Sequence, residues 1–431
     1  MPSEESRDKY QHVVVHGLPY ERGLSHGQQA RDKILRNITH YKGPGNLIAW
    51  PTALRIIREC YIPGLEKYWL PGLTEMRGVA DGAGVDLEDI ILLNARYDLS
   101  HISDPSTAGD QTTQRLHKLA FDGADGRHDS SSAPACSECT SAIILSEATG
   151  DGQVYTAQNW DMSDRLLKED GVIYLEVHPH PSEHLPSLFL VTEAGQLCRS
   201  GMNSDGLGLC ANSLCSSIDT MPFPLDAGVG AGEVPAIPPS SALRRLFLES
   251  PSYADGLKRV ARTPRHVSCN LMLSTADNMG ICLEITPQVI FRISGSAGSD
   301  APYLLHSNHF QTQSFLCQSA IQDRQAGGSS WYRADRLEVG IRRKAQIGFL
   351  TDTDIVNAFK DHAGYPHSLC EHSARKATQG PFLPAGRPSP YSGSTCTVSC
   401  VIYNLTKRSI RVCKGPPCQG EFEEFTLEPK R

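Results

Sequence analysis

A chain of 431 residues with 39% hydrophobic and 21% charged content has the make-up of an ordinary globular protein, long enough for one large domain or several small ones. Its formal net charge of -7 gives no cationic footprint for nucleic acid, and no basic run is long enough to grip an anionic membrane surface. The N-terminal residues lack the apolar core of a signal peptide and no uninterrupted apolar stretch reaches the roughly 18 residues of a membrane span. The expectation is therefore a cytoplasmic protein, acting on small molecules, whose 14 cysteines are mostly buried thiols.

From Glu21 to about Asp98 the apolar spacing predicts helices over Arg31 to Tyr41, Thr52 to Trp69 and Leu73 to Ala83, punctuated by Gly43-Pro44-Gly45 and Pro71-Gly72. His26 reads most simply as a helix-packing or capping residue, and Arg96 and Asp98 fit a structural role as well as one near a site. From Leu99 to Glu138 the composition turns to Ser, Asp, Gly, Thr and His, burying too little apolar surface to offset its ordering entropy. This reads as a flexible surface insertion. It ends at Ser137-Glu138-Cys139-Thr140-Ser141, where a β-leaning run begins.

Thr140 to Leu145, the turn cluster Ala148-Thr149-Gly150-Asp151-Gly152 and Gln153 to Gln158 predict a hairpin. Folded about Gly150 and Asp151, it sets Cys139 opposite the Trp160-Asp161-Met162 region, making Asp161 a candidate carboxylate for holding a protonated amine, although spacing alone favours a strand-end aspartate that caps a loop. Asn159 shares a face with Asp161 by alternation and is a candidate for orienting it, or for sheet packing. If the Glu138–Cys139 bond is cut by the protein itself, thiol and α-amino group sit on one residue, and the amine serves as the thiol's base. Cys136 and Cys139 also form a C-x-x-C pair. A zinc site would need a second close pair, and a redox motif would start a helix rather than a strand, so neither a metal nor a cofactor is expected.

Further strands are predicted over Val172 to Val177, Ser187 to Thr192, Gln196 to Ser200 and Gly208 to Asn212. A Pro- and Gly-rich insertion, Met221 to Pro239, precedes helices over Ser240 to Glu249 and Tyr253 to Arg262. Strands resume over Asn270 to Ser274, Ile281 to Ile285, Val289 to Ile293 and Tyr303 to His306. Helices over Trp331 to Gln346 and Asp352 to His362 and strands over Thr395 to Tyr403 and Ser409 to Lys414 close the pattern. Grouped strands and paired helices predict an α+β fold of two mostly antiparallel sheets covered by helices. Asn308 ends a strand between His306 and His309; its amide fits an oxyanion donor, and the two histidines leave a metal or a Cys-His pair open.

Cys139-Thr140-Ser141 with Ala157-Gln158-Asn159-Trp160-Asp161 resembles the nucleophile hairpin of the isopenicillin N acyltransferase family, a pattern that arthropod β-alanyl-dopamine hydrolases share. The resemblance extends to Gly17-Leu18-Pro19-Tyr20-Glu21-Arg22-Gly23 with His26-Gly27, to Leu93-Asn94-Ala95-Arg96, to Thr192-Glu193-Ala194-Gly195 and Gly201-Met202-Asn203-Ser204-Asp205-Gly206, to His306-Ser307-Asn308-His309 and to Lys414-Gly415-Pro416-Pro417-Cys418. It implies the four-layer αββα sandwich of N-terminal nucleophile hydrolases. The helical N-terminal part would span residues 1–99, the flexible pre-cleavage linker 100–138 and the catalytic part 139–431, the two fragments staying together as a heterodimer.

The resemblance further implies Cys139 as nucleophile, Asp161 and Asn308 as catalytic partners, and Gln158, Asn159 and Thr140 in support. It implies a zymogen cut between Glu138 and Cys139, an acyl-cysteine thioester, and transfer from a donor such as acyl-coenzyme A to an amine in secondary metabolism. An amidohydrolase acting on a small N-acyl or N-aminoacyl amide, or an inactive binding protein retaining the fold, are the alternatives. The chain departs from the family in having Glu138 where the penicillin enzymes have glycine, and Ser394 at the position of a family arginine, with Arg387 off register. A peroxisomal address of the family's kind is not expected, because the chain ends Pro429-Lys430-Arg431.

Overall fold

The computed structural model describes residues 9–44, 46–102, 138–223, 234–295, 301–326, 328–373 and 395–428. Cys136, Arg387, Ser394 and nearly all of the insertion before Cys139 lie outside them. In chain order the elements are β1 (Gln11–Gly17), α1 (Pro19–Gln29), α2 (Arg31–Lys42), α3 (Trp50–Ile56), α4 (Ile62–Tyr68), α5 (Leu70–Ala83), α6 (Leu87–His101), β2 (Glu138–Ile144), β3 (Tyr155–Ser163), α7 (Arg165–Lys168), β4 (Val172–Pro179), β5 (Leu188–Glu193), β6 (Ser200–Asn203) and β7 (Leu207–Ser213). There follow α8 (Ser240–Leu248), α9 (Tyr253–Arg262), β8 (Cys269–Thr275), β9 (Met279–Ile285), β10 (Ile290–Gly295), β11 (Tyr303–His306), α10 (Gln313–Leu316), α11 (Ser330–Gln346), α12 (Asp352–Phe359), β12 (Thr395–Asn404), β13 (Ser409–Lys414) and β14 (Phe422–Thr426).

The strands form an eight-stranded sheet, β1-β4-β5-β6-β7-β8-β9-β10, and a six-stranded sheet, β11-β2-β3-β12-β13-β14. Among the described strands only β1 and β4 pair in parallel. On β4, Val172 and Tyr174 join the core between the sheets while Ile173, Leu175 and Val177 pack under the helices, so both faces are buried and the strand reads as a near-continuous apolar run. Helices α1 to α6, α8 and α9 cover the eight-stranded sheet. Cys139, Ile143, Trp160 and Met162 face Phe189, Met202 and Met272 across the middle. Leu337, Ile341 and Phe359 of α11 and α12 close the other side over Ala142, Ala157 and Ile402. The four layers are thus α, β, β and α, and the N-terminal residues belong to this one sandwich through β1. No described helix is long and apolar enough to cross a membrane.

Most predicted elements appear with ends shifted by a few residues, and Tyr303–His306 and Ser409–Lys414 coincide with theirs. The helix expected over Thr52 to Trp69 is interrupted by a π-turn at Ile57–Tyr61. The strand expected over Gln196 to Ser200 is a correction: only Ser200 is in a strand, because α6 captures the preceding residues. Gln196 Nε2 donates to Leu93 O at 2.8 Å and Leu197 N donates to Asn94 Oδ1 at 2.9 Å. Strands β1 and β14 were not expected; β14 is a half-exposed edge whose charges, Glu423 and Glu424, mask its alternation.

The Gly23, His26 and Gly27 motif is explained by helix contact. A Cβ on Gly23 would lie 2.0 Å from the carbonyl oxygen of Glu75 in α5, and one on Gly78 would lie 2.2 Å from that of Tyr20 in α1. The two backbones touch, which only glycine permits. His26, fully enclosed, accepts the Gly195 N–H on Nε2 at 3.2 Å. Arg22 donates to Glu75 at 2.6 Å in a buried network with Arg245 and Glu249. Asp98 accepts the N–H and the hydroxyl of Ser240, the first residue of α8, so its role is structural.

Gly23→Ala is expected to cost about 3 kcal/mol of stability by overpacking, against about 1 kcal/mol for Gly84→Ala, where a positive φ of 70° but no neighbouring atom opposes a side chain; denaturant melts of the two variants check the ratio. Burial lowers the pKa of His26 to about 4, with Glu75 opposing the shift. Its neutral form therefore contributes fully above the unfolded value near 6.5, and the contribution is lost as pH falls towards 4. His26→Gln should lose about 2 kcal/mol less than the parent between pH 7 and pH 5, read from denaturation midpoints.

Candidate active site around Cys139

Cys139 is the second residue of β2 and pairs with Trp160, while Glu138 pairs with Asp161. The expected partner region is met at its near end. A 3-10 turn at Ser146–Ala148 and an extended return through Gln153 replace a tight hairpin loop. Alternation sends the thiol inward with Trp160 and sends Asn159 and Asp161 outward, towards α11 and α12.

The thiol is fully buried and faces a guanidinium. Arg199 Nη2 lies 2.9 Å from Cys139 Sγ, its Nη1 donates to Gln158 Oε1 at 2.8 Å, and its Cζ lies 4.1 Å from the centroid of the Trp160 ring. Gln158 is fixed in turn, donating through Nε2 to Ser141 Oγ, Ala211 O and Asn212 Oδ1 at 2.8, 2.8 and 3.0 Å. Burial pulls the pKa of Arg199 down, and Cys139 opposes that shift.

A second buried guanidinium holds the main chain of the same residue. Arg333 of α11 donates to Cys139 O at 2.6 Å, to Thr140 Oγ1 at 2.7 Å and to Asn308 Oδ1 at 2.7 Å, and its Nη1 is 3.9 Å from Asp161 Oδ2. Cys139 N donates to Asn308 Oδ1 at 2.8 Å. The Asn308 amide therefore turns its oxygen to Cys139, where two donors converge, and its Nδ2 donates to Ser213 O at 3.0 Å. That differs from the expectation of an NH2 group aimed at an oxyanion. Asp161 Oδ1 accepts the Thr397 hydroxyl at 2.6 Å, and Asn159 Nδ2 donates to the carbonyls of Phe359 and Leu369 at 3.0 and 2.9 Å. Asn159 thus braces the chain after α12.

The histidines beside Asn308 are anchors. His306 Nε2 meets Glu284 Oε1 at 3.0 Å and its Nδ1 meets Ser307 O at 2.8 Å. Glu284 resists the upward push of burial because His306, Thr312 and the Gln311 N–H hold its charge, so its pKa is lowered. His309 Nδ1 meets Ser330 Oγ at 2.9 Å, the hydroxyl that accepts the Asn308 N–H, and burial drops its pKa to about 4. Among the described residues the partners of both rings are Glu284, Asn212, Ser307 and Ser330.

Arg199 and Arg333 were not singled out in the sequence. Arg199 lies in the segment misread as a strand. Arg333 did carry a signal: with Leu337, Ile341 and Ala345 it stands at four-residue intervals on the buried face of α11, a charge inside an apolar stripe. Arg96 pairs with Glu193 and lines, with Arg199, Arg244 and Asn212, a small cavity of about 20 Å³. A cavity of about 760 Å³ lies on the other side of the 306–310 corner, lined by Leu304, His309, Phe310, Trp331 and Glu338 among others, without Cys139.

Residues 148–417 match the family model described as acyl-coenzyme A:6-aminopenicillanic acid acyl-transferase. The chain belongs to that family. The matched span begins beyond Cys139 and contains Asp161, Arg199, Asn308 and Arg333. Among curated proteins, the 40 kDa form of acyl-coenzyme A:6-aminopenicillanic-acid-acyltransferase from Emericella nidulans is 22% identical over 381 residues, covering 86% of this chain and 87% of its own. Among solved structures, an N-acylethanolamine-hydrolyzing acid amidase ortholog of Caenorhabditis elegans matches with a TM-score of 0.38 and 11% identity over 62% of this chain and 93% of its own. A conjugated bile acid hydrolase from Clostridium perfringens matches with a TM-score of 0.36 and 10% identity over 68% and 98%. As a member of the acyltransferase family the protein is an enzyme of the acyltransferase kind, and membership implies a small-molecule acyl donor and an amine acceptor.

Gln158→Leu would strip the buried Arg199 of its neutral acceptor, an expected loss of about 3 kcal/mol. The double variant Gln158→Leu, Arg199→Met should recover part of that loss in a double-mutant cycle of denaturation free energies, because the stranded charge is removed with its partner.

Proposed function

We propose that the protein is a self-processing cysteine enzyme that cuts its own Glu138–Cys139 bond and then carries acyl groups on Cys139 from a donor of the acyl-coenzyme A class to an amine. The observation that carries this reading is that two guanidiniums and one amide converge on a single residue: Arg199 on its sulfur, Arg333 on its carbonyl and Asn308 on its nitrogen.

In processing, the Cys139 sulfur, as thiolate beside Arg199, adds to the carbonyl carbon of Glu138. The tetrahedral adduct collapses with loss of the C–N bond, and the released nitrogen takes the proton that the thiol gave up. Water then opens the resulting thioester to a Glu138 carboxylate and a free Cys139 bearing an α-amino group. In turnover that amine is the base. Arg333, a cation sharing the Asn308 oxygen with it, disfavours its protonated form and so keeps it available near neutral pH. The donor's acyl carbon is attacked by sulfur, coenzyme A thiol leaves, and the acceptor amine attacks the cysteinyl thioester to give the amide and the free thiol. Asp161, through Thr397 and the nearby Arg333, is proposed to orient the amine end of Cys139. Thr140, Gln158 and Asn159 are proposed as positioning residues.

Intact mass spectrometry of the purified chain should give two fragments meeting at Glu138/Cys139, staying together on gel filtration, with Cys139→Ala left whole. Incubation with an acyl-coenzyme A should then add one acyl mass to the Cys139 fragment, discharged by a suitable amine. Arg199→Met should slow acylation by about 100-fold, the scale of losing one positioned electrostatic group at a reacting centre. A parent chain that stays uncut refutes self-processing, and acylation by amides but never by thioesters refutes the transferase assignment in favour of hydrolysis.

A further inference from the structure

Four side chains outside the reaction centre gather in the layer behind it. His362 follows α12, Cys370 and His372 lie in the next loop, and Cys418 ends the Lys414-Gly415-Pro416-Pro417-Cys418 turn after β13. Their ligand atoms all lie within 4.8 Å of one another, with Cys370 and His372 buried and His362 and Cys418 at the surface.

The individual separations have the form of a coordination polyhedron. Cys370 Sγ and Cys418 Sγ are 3.6 Å apart, His362 Nε2 and His372 Nε2 3.1 Å, and His372 Nε2 lies 3.6 Å from Cys370 Sγ and 3.3 Å from Cys418 Sγ. A tetrahedral zinc ion with ordinary Zn–S and Zn–N bonds places two thiolates about 3.8 Å apart, a thiolate and an imidazole nitrogen about 3.5 Å apart and two nitrogens about 3.3 Å apart. Both loops that carry the ligands are built independently of the four atoms. Cys370 N donates to Asp361 O at 3.0 Å and His372 N to Pro366 O at 2.9 Å, while Gln419 N and Gly420 N both donate to Pro416 O. A Cβ on Gly420 would fall 2.5 Å from Lys414 O, so the closing turn is tight as well.

We propose that His362, Cys370, His372 and Cys418 bind one zinc ion in a closed Cys2His2 site. On binding, each cysteine releases its thiol proton and bonds as thiolate, and each histidine bonds as neutral imidazole through Nε2, so that the filled site carries no net charge. Four protein ligands leave no open position for a substrate, which makes the ion structural. Its place gives it a purpose. The loop it clamps offers the Phe359 and Leu369 carbonyls to Asn159 and the Glu371 N–H to Thr397 Oγ1, the hydroxyl that donates to Asp161. The ion ties this loop to the turn after β13 and is a positioning device for the outer side of the nucleophile strand pair. The site does not depend on the reaction assigned to Cys139.

The full chain, purified untagged and without chelator, should contain one zinc per molecule by inductively coupled plasma mass spectrometry. Cobalt exchanged into it should give thiolate-to-metal charge-transfer bands and the intense visible bands of a tetrahedral centre. Cys418→Ser and His362→Ala, at surface positions chosen so that the fold survives, should each weaken zinc binding at least about 100-fold in a competition titration with a chromogenic chelator. Chelation should lower the thermal midpoint of the parent and leave that of Cys418→Ser unmoved. A parent that stays metal-free after zinc incubation, zinc binding equal in parent and variants, or a Cys370–Cys418 disulfide under reducing purification would each overturn the proposal.

Discussion

Placing negative charge on a sulfur with no solvent access is prohibitive unless a cation already waits there, and at Cys139 that cation is Arg199. The guanidinium is itself buried, so its own desolvation has to be met, and the surroundings supply the means. Trp160 offers its ring face, Gln158 an amide oxygen, and the loop that carries Arg199 is held by side chains and carbonyls of α6 rather than by a neighbouring strand. These supports come from two layers, β3 of the six-stranded sheet and the helix α6. The helical layer fixes the loop, the six-stranded sheet brings cysteine, glutamine and tryptophan into register, and the space between the sheets keeps water away. The interaction is strong only because the whole sandwich is closed around it.

The second guanidinium solves a different problem. Cys139 is at the head of an inner strand, where a main-chain nitrogen and carbonyl would be left half-satisfied by the sheet alone. Asn308 and Arg333 meet them, and they meet each other. The arrangement does not require an intact peptide bond on the nitrogen: an amide N–H and an amine N–H both suit the Asn308 oxygen.

How far the sequence exposed this arrangement follows from the kind of pattern each part leaves. The two sheets and most helices were legible because buried strands and amphipathic helices impose a period on apolar residues. Cys139, Gln158, Asn159 and Asp161 were legible because strand pairing turns spacing into opposition. Arg199 was not, since it is far from Cys139 in sequence and sits in no periodic context, and Arg333 stood out only as a charge in the apolar stripe of α11, a pattern that does not point to Cys139. The orientation of Asn308 was also hidden, because an amide can present either end and only its neighbours decide which. Residues 374–394, where the family arginine was sought at Ser394, lie outside the described residues.

The Cys2His2 cluster extends the same lesson to chemistry. Sequence reading tests for zinc by looking for two close ligand pairs, and that test says nothing of four ligands drawn from two loops separated by β12 and β13. What brings them together is the sheet: β12 and β13 pair from Ser399 with Lys414 to Asn404 with Ser409, and this register sets the closing turn beside the first residues of β12, where Gly415 N donates to Val398 O. The same β12 pairs with β3, opposing Thr397 to Asp161. One strand therefore borders both the outer brace and the reaction centre. A constraint applied at Cys418 reaches Asp161 through the loop after α12 and a single threonine, without any change in the core between the sheets.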